Sequence, residues 1–175
     1  MTLALPPGRP LRALVRSFAL PLAVMLSLDT HATVAHAQEV PLSTGQTVYL
    51  PVYSHVYHGD LDRKGKPAET LVSTHVSIRN TDPGVPVRLL SARYHDTQGR
   101  LVRDYLKGPV TVPPLGTHEL FVPRSDTAGG SGANFLIVWA ADAPANLPII
   151  EALHADIREA RTLMLHTAGS PIRPR

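Results

Sequence analysis

Apolar and polar residues alternate along much of this chain. From Glu69 to Asn80, Val72, Thr74, Val76 and Ile78 fall on one side and Leu71, Ser73, His75, Ser77 and Arg79 on the other. Side chains along a strand point alternately to its two faces, so this run predicts a strand with the Val72-to-Ile78 side toward a core. Thr47 to His58 is rich in Val and Tyr but carries Pro51. A proline removes a ladder donor, which predicts an edge strand or a strand with a break. Val87 to His95 and Leu101 to Leu106 flank Asp96-Thr97-Gln98-Gly99, a tight hairpin turn. Ala133 to Ala141 is a continuous apolar run suited to a buried central strand, with Trp139 as its anchor.

Residues 149–165 fit two patterns. Ile150, Leu153, Ile157, Ala160 and Met164 follow a helical period, whereas Ile149, Glu151, Leu153, Ala155 and Ile157 follow a strand. Two strands joined near Arg158 to Arg161 agree better with the rest of the chain. Seven to nine short strands, with turn signals every 8 to 12 residues, describe an all-β fold: an immunoglobulin-like antiparallel β-sandwich. The expected domain covers residues 47–166, after a lead-in at 38–46 and before a polar tail at 167–175.

The first 37 residues read differently. Arg9, Arg12 and Arg16 precede the apolar run Phe18 to Leu28, and Ala35-His36-Ala37 follows with small residues at a cleavage spacing. That is the order of a secretory signal peptide, cleaved after Ala37. The run falls short of the roughly 20 apolar residues that a spanning helix needs. The expectation is a soluble periplasmic or secreted protein with no membrane span in its mature form. The 17 Lys and Arg residues and 14 Asp and Glu residues lose three basic and one acidic member with the leader. What remains is nearly neutral and without a basic block, which argues against nucleic acid as a partner. The chain has no cysteine, so disulfide staples and thiol chemistry are out of reach.

Several segments in order carry a resemblance. Val48 to Gly59 (VYLPVYSHVYHG), Val76 to Asp82 (VSIRNTD), Tyr94 to Gly99 (YHDTQG), Gly129 to Phe135 (GGSGANF) and Pro148 to Ala152 (PIIEA) resemble a family of bacterial exported proteins and lipoproteins known as a domain of unknown function. The resemblance spans roughly residues 47 to 166. It implies an envelope-associated domain and transfers no catalytic residue. The chain departs from the lipoprotein members in having no cysteine after its leader, and at His95, where an aromatic residue is more usual.

The candidate chemistry is thin. His55 and His58 stand three apart, so on a regular strand they point to opposite faces and converge on a metal only through a turn or bulge. Met164 and His166 share a face, a pairing suited to copper. Gly129-Gly130-Ser131-Gly132 superficially resembles a phosphate cradle or a nucleophile elbow, but a loop precedes it and an apolar strand follows, where both motifs demand a strand and then a helix. Glycines needing positive φ and close backbone approach explain it better. Tyr49, Tyr53 and Tyr57, four apart, share one face of a strand and suit a sugar or peptide surface or packing between sheets. Asp96, Asp104, Asp126 and Glu151 are scattered, and the first and third fit turn chemistry.

The expected function is therefore a non-enzymatic binding module with no cofactor. Its surface is Tyr53, His55, Tyr57, His58 and Asp60 together with Gly129, Gly130, Ser131 and Asn134, and its partner is an envelope protein or a small ligand. The alternative is a periplasmic copper- or zinc-binding protein using His55, His58 and other histidines.

Overall fold

The computed structural model describes residues 41–173, so the expected leader and its cleavage site lie outside the described residues. Within them the fold is all-β, with twelve antiparallel strands in three sheets and no helix. The strands are β1 (Leu42–Pro51), β2 (His55–Leu61), β3 (Pro67–Leu71), β4 (Ser73–Arg79), β5 (Val87–His95), β6 (Leu101–Asp104), β7 (Val110–Val112), β8 (Thr117–Val122), β9 (Asn134–Asn146), β10 (Ile149–Arg158), β11 (Arg161–Ala168) and β12 (Ser170–Ile172). The larger sheet runs β12-β1-β9-β5-β6, with β7 also on β5. A second runs β11-β10-β4-β8, and β2 and β3 form a separate hairpin.

The two larger sheets share one core, because alternation hands each a buried face. Val48 and Leu50 of β1, Leu89 of β5 and Phe135, Ile137 and Trp139 of β9 meet Val76 and Ile78 of β4 and Ile150 and Ala152 of β10. The Val72-to-Ile78 side of the predicted strand is the buried side, as its pattern requires. β9 is central, between β1 and β5, and Trp139 is almost wholly enclosed. Residues 149–165 form two strands, with Arg158 opposite Arg161 across the turn.

Three expectations are corrected. Strands number twelve rather than seven to nine, because short pieces such as β3, β7 and β12 carry too few residues to show a period. The sheet begins at Leu42, inside the expected lead-in, and ends at Ile172, inside the expected tail: Thr47 to Tyr49 pair with Ile172 to Ser170. Backbone hydrogen bonds tie down a polar segment that carries no hydrophobic signal. Asp60 to Pro67, charged and flanked or held by Gly59, Gly65 and Pro67, reads as an exposed loop, but the hairpin β2–β3 takes up both its ends and only the Asp62-to-Lys66 turn remains outside strands, with Asp62 accepting from the amides of Lys64 and Lys66.

Pro51 does mark a break. β1 ends there, Val52 to Ser54 cross between the sheets, and the chain restarts as β2. The crossing is fixed by main-chain bonds from Val52 N to Ala133 O and from Ser54 N to Gly130 O, each 2.9 Å. Farther along β4, at its other end, Asn80 donates through Nδ2 to the carbonyls of Val85, Val112 and Pro113. Asp82 accepts the amides of Gly84, Val85 and Asn146. These bonds hold its carboxyl below the ordinary carboxylate range, the Asn146 amide most of all. The RNTD stretch is thus a polar clasp that closes this end of the domain.

Candidate functional site

The site lies at the opposite end of β4, where β1 gives way to β2. Tyr53 sits in the crossing and is held from two strands of the second sheet. Its amide donates to His154 Nε2 at 3.1 Å, and its carbonyl accepts from Thr74 Oγ1 at 3.1 Å. The Tyr53 ring meets the His154 ring edge-on, with centroids 5.4 Å apart. His154 lies on the core-facing side of β10, in line with Ile150 and Ala152, and is fully enclosed. Because Nε2 accepts, the imidazole is neutral with its proton on Nδ1. Burial pushes its pKa below the ordinary imidazole value; the Leu165 backbone acts the other way, and His166 adds a smaller push downward. Nδ1 has no hydrogen-bond partner of good geometry.

Around this anchor the chain forms a groove of about 520 Å³ lined by Tyr53, His55, Val56, Tyr57, Ser131, Leu165, His166 and Thr167. It brings together two segments far apart in sequence, the crossing with β2 and the glycine loop, and adds a third wall from β11. Thr167 Oγ1 donates to Pro51 O at 2.7 Å and fastens that wall to the end of β1. The His55 ring packs edge-on against Tyr57, with centroids 4.8 Å apart. His55 Nε2 is enclosed without a hydrogen bond, and Glu69 stands 4.0 Å away. A neighbouring cavity of about 220 Å³ shares Val56 and adds His58, Thr70, Arg161, Thr162 and Leu163.

Four of the nine expected surface residues therefore converge: Tyr53, His55, Tyr57 and Ser131. His58 lines the adjacent cavity instead, where its Nε2 bonds Thr70 Oγ1 at 2.9 Å. Asp60 is exposed farther along β2 and lines neither space. Gly129, Gly130 and Asn134 line neither space. A Cβ at Gly129 would collide with Tyr94 and Ala133, and Gly130 has φ +77°. Asn134 pairs between Pro51 and His95. The Tyr49-Tyr53-Tyr57 row is corrected by the break at Val52 to Ser54: Tyr49 stays on β1 beside β12, and only Tyr53 and Tyr57 reach the groove.

The loop hangs on other side chains. Thr97 donates its amide and hydroxyl to Gly129 O, and its Oγ1 accepts the Gly132 amide. Tyr94 Oη lies 3.1 Å from Ser54 Oγ, and burial pushes its phenol pKa up. Asp96 and Asp126 accept amides of their own turns, from Gln98 and Arg100 and from Ala128. The YHDTQG and GGSGANF stretches thereby support each other.

The histidines do not gather. His55 and His58 line different cavities, and the irregularity in the β2–β3 pairing falls between His58 and Leu61, too late to turn one toward the other. His166 Nε2 is 3.0 Å from Glu151 Oε2, and His75 Nε2 is 3.2 Å from Glu119 Oε1. Among the described residues no group of three His, Asp or Glu is placed to hold a metal ion.

Sequence reasoning missed the third wall. Leu163, Leu165 and Thr167 alternate as an inward face of β11, a signal present in the sequence, but nothing local says which strand lies across from them. It also missed a charge cluster beside the smaller cavity: Asp156, buried on β10, receives Arg158 at 3.0 Å, Arg161 at 3.3 Å and Arg124 at 3.4 Å. Arg158 foremost holds the Asp156 carboxyl below the usual range.

An all-β domain with a groove at the crossing between its sheets defines the class. The family model described as "Protein of unknown function (DUF3124)" matches residues 45–172, and the chain belongs to that family. No curated protein matches. Among solved structures, the crystal structure of Thermotoga maritima 1070 is similar at 11% identity with a TM-score of 0.39, covering 71% of this chain and 92% of that one.

Proposed function

We propose that this protein is an exported, soluble periplasmic or secreted binding module, a non-enzymatic immunoglobulin-like β-sandwich that takes a protein segment or small ligand in the groove between β2, the Gly129-to-Ser131 turn and β11. One observation carries the reading: residues 76 positions apart, His55 and Ser131, meet in one concave site whose walls are braced from behind. The bracing comes from His154 and Thr74 on Tyr53 and from Thr97 on the glycine loop. Rigid elements that position exposed aromatic and polar side chains around a concavity are the usual design of a recognition site. The basic Arg, the apolar run and the small residues before Gln38 support export.

The test is a chemical-shift survey of the purified, isotope-labelled protein against mixed small-molecule fragments and short peptides. Shifts that cluster on the amides of residues 53–57, 131 and 165–167 are expected. Shifts clustering at the Asn80–Asp82 end, or none from any probe, would remove the proposal.

A further inference from the structure

The groove's lining reveals more about its occupant. Alternate residues of a strand point to opposite faces, so a space lined by three successive residues fits one that runs along the strand's edge. Leu165, His166 and Thr167 line the larger cavity, and Arg161, Thr162 and Leu163 the smaller; His55, Val56 and Tyr57 do the same from β2. The two cavities adjoin at Val56, and taken together they follow β11 from Arg161 to Thr167 as one slot. β11 pairs only with β10, and β2 only with β3, among the described residues. The slot thus lies between two strand edges whose main-chain donors and acceptors have no strand partner.

We infer that the occupant is an extended peptide from a partner protein, added as a strand to the β11 edge, with an acidic residue at the Arg161 end. This rests on the groove reading above and specifies its ligand. Amide and carbonyl groups repeating at strand spacing are matched by another extended main chain, the mode of recognition known from strand addition at sheet edges. Arg161 to Thr167 spans roughly 20 Å at a strand rise of about 3.3 Å, room for six or seven residues. Charge selects the peptide further. The slot is lined by Arg161, His55, His58 and His166 and by no carboxylate. Glu151 already answers His166, and Glu69 stands near His55. At the other end Asp156 faces Arg124, Arg158 and Arg161, and with Glu159 in the turn between the last two that end keeps a net positive charge. Leu163, Leu165 and Val56 offer apolar contact for alternate side chains of the peptide.

The experiment uses labelled octapeptides of alternating Val and Thr with an Asp pair at one end or the other, titrated into the purified protein by fluorescence anisotropy. One of the two should bind, with deuterium protection of residues 161–167. N-methylation of alternate peptide nitrogens should weaken it about tenfold or more, because each lost main-chain bond counts. Arg161→Glu should reverse the preference toward the same peptide carrying a Lys pair, a readout that lowered stability alone does not produce. Equal binding of the N-methylated peptide overturns strand addition. If no peptide binds while small fragments still shift the groove, the occupant is wrong and the groove stands; if neither shifts it, both fall. Protection of residues 161–167 that rises with protein concentration alone overturns the proposal in favour of a second copy of this chain.

Discussion

The two ends of β4 treat polar groups in opposite ways. Beyond Arg79, Asn80 and Asp82 spend their side chains on carbonyls and amides of three other segments, and Thr81 Oγ1 adds a bond to Leu147 O. Before Ser73, by contrast, enclosed nitrogens of His55 and His154 lack a well-aligned hydrogen bond beside an open slot. His95, whose strand position faces Asn134 at that same end, also has an enclosed Nδ1 without one. A buried polar group left unpaired costs stability. The closed end stabilises the fold, and the open end gives up some stability where a ligand has room to bind.

Perturbations of unequal size sharpen this contrast. The largest belongs to the closed end: Asn80→Ala strands three carbonyls and the Asp82 amide and should cost roughly 3 kcal/mol, seen as a lower urea midpoint with an unchanged slope. Gly129→Ala forces a methyl into Tyr94 and should cost about 2 kcal/mol while moving the Ser131 amide in an NMR spectrum.

Acidification separates the ends in a different way. His154 has a folded pKa below its unfolded value near 6.5, so the unfolded chain takes up the proton first. The stability of the neutral imidazole is complete above 6.5 and drains away as pH falls from there toward its folded pKa. Asp82 has a lowered carboxyl, so its contribution is complete above the ordinary carboxylate value near 3.8 and is lost only below it. Between pH 7 and 5 the hydrogen-exchange protection factors, taken relative to the intrinsic rate at each pH, should therefore fall around Tyr53 and β11 while those of the Asn80–Asp82 segment hold. Simultaneous loosening of both ends would break the comparison. His154→Phe should flatten the response over that interval.

The smallest effect on stability belongs to Tyr57→Ala. The residue is 56% exposed, so stability should fall by less than about 0.5 kcal/mol while groove binding weakens severalfold. A large loss of stability would mean that Tyr57 is packing rather than surface.

Much of the fold was legible, and the reason is periodic burial. Val72 to Ile78 declares its core face because its sheet buries one side, whereas the apolar run of β9 announced a central strand and only the structure shows that Phe135, Ile137 and Trp139 form its buried side. The hairpin at Asp96 to Gly99 was readable from turn chemistry, and its Gly99 takes φ +77°. β12 was not legible, because Ser170-Pro171-Ile172 is held by main-chain pairing and not by burial. At the site, Tyr53, His55, Tyr57 and Ser131 could be named from their composition and neighbours. Leu165 and Thr167 could not, since the slot is made by strands 110 residues apart, His55 to Leu165, that do not pair. Asp60 and Asn134 were chosen by proximity in sequence, which the restart at His55 and the pairing of β9 overrule.

The pairing of β12 with β1 also governs how this domain can be cut and rejoined. The first and last strands run antiparallel side by side, Tyr49 against Ser170 and Thr47 against Ile172. A linker of a few residues joining Ile172 to Leu42, with new termini opened in the solvent-exposed turn at Arg63 to Gly65, would preserve every strand in its sheet. Such a permuted chain would place its free ends at the tip of the β2–β3 hairpin, a natural attachment point for a reporter of slot occupancy.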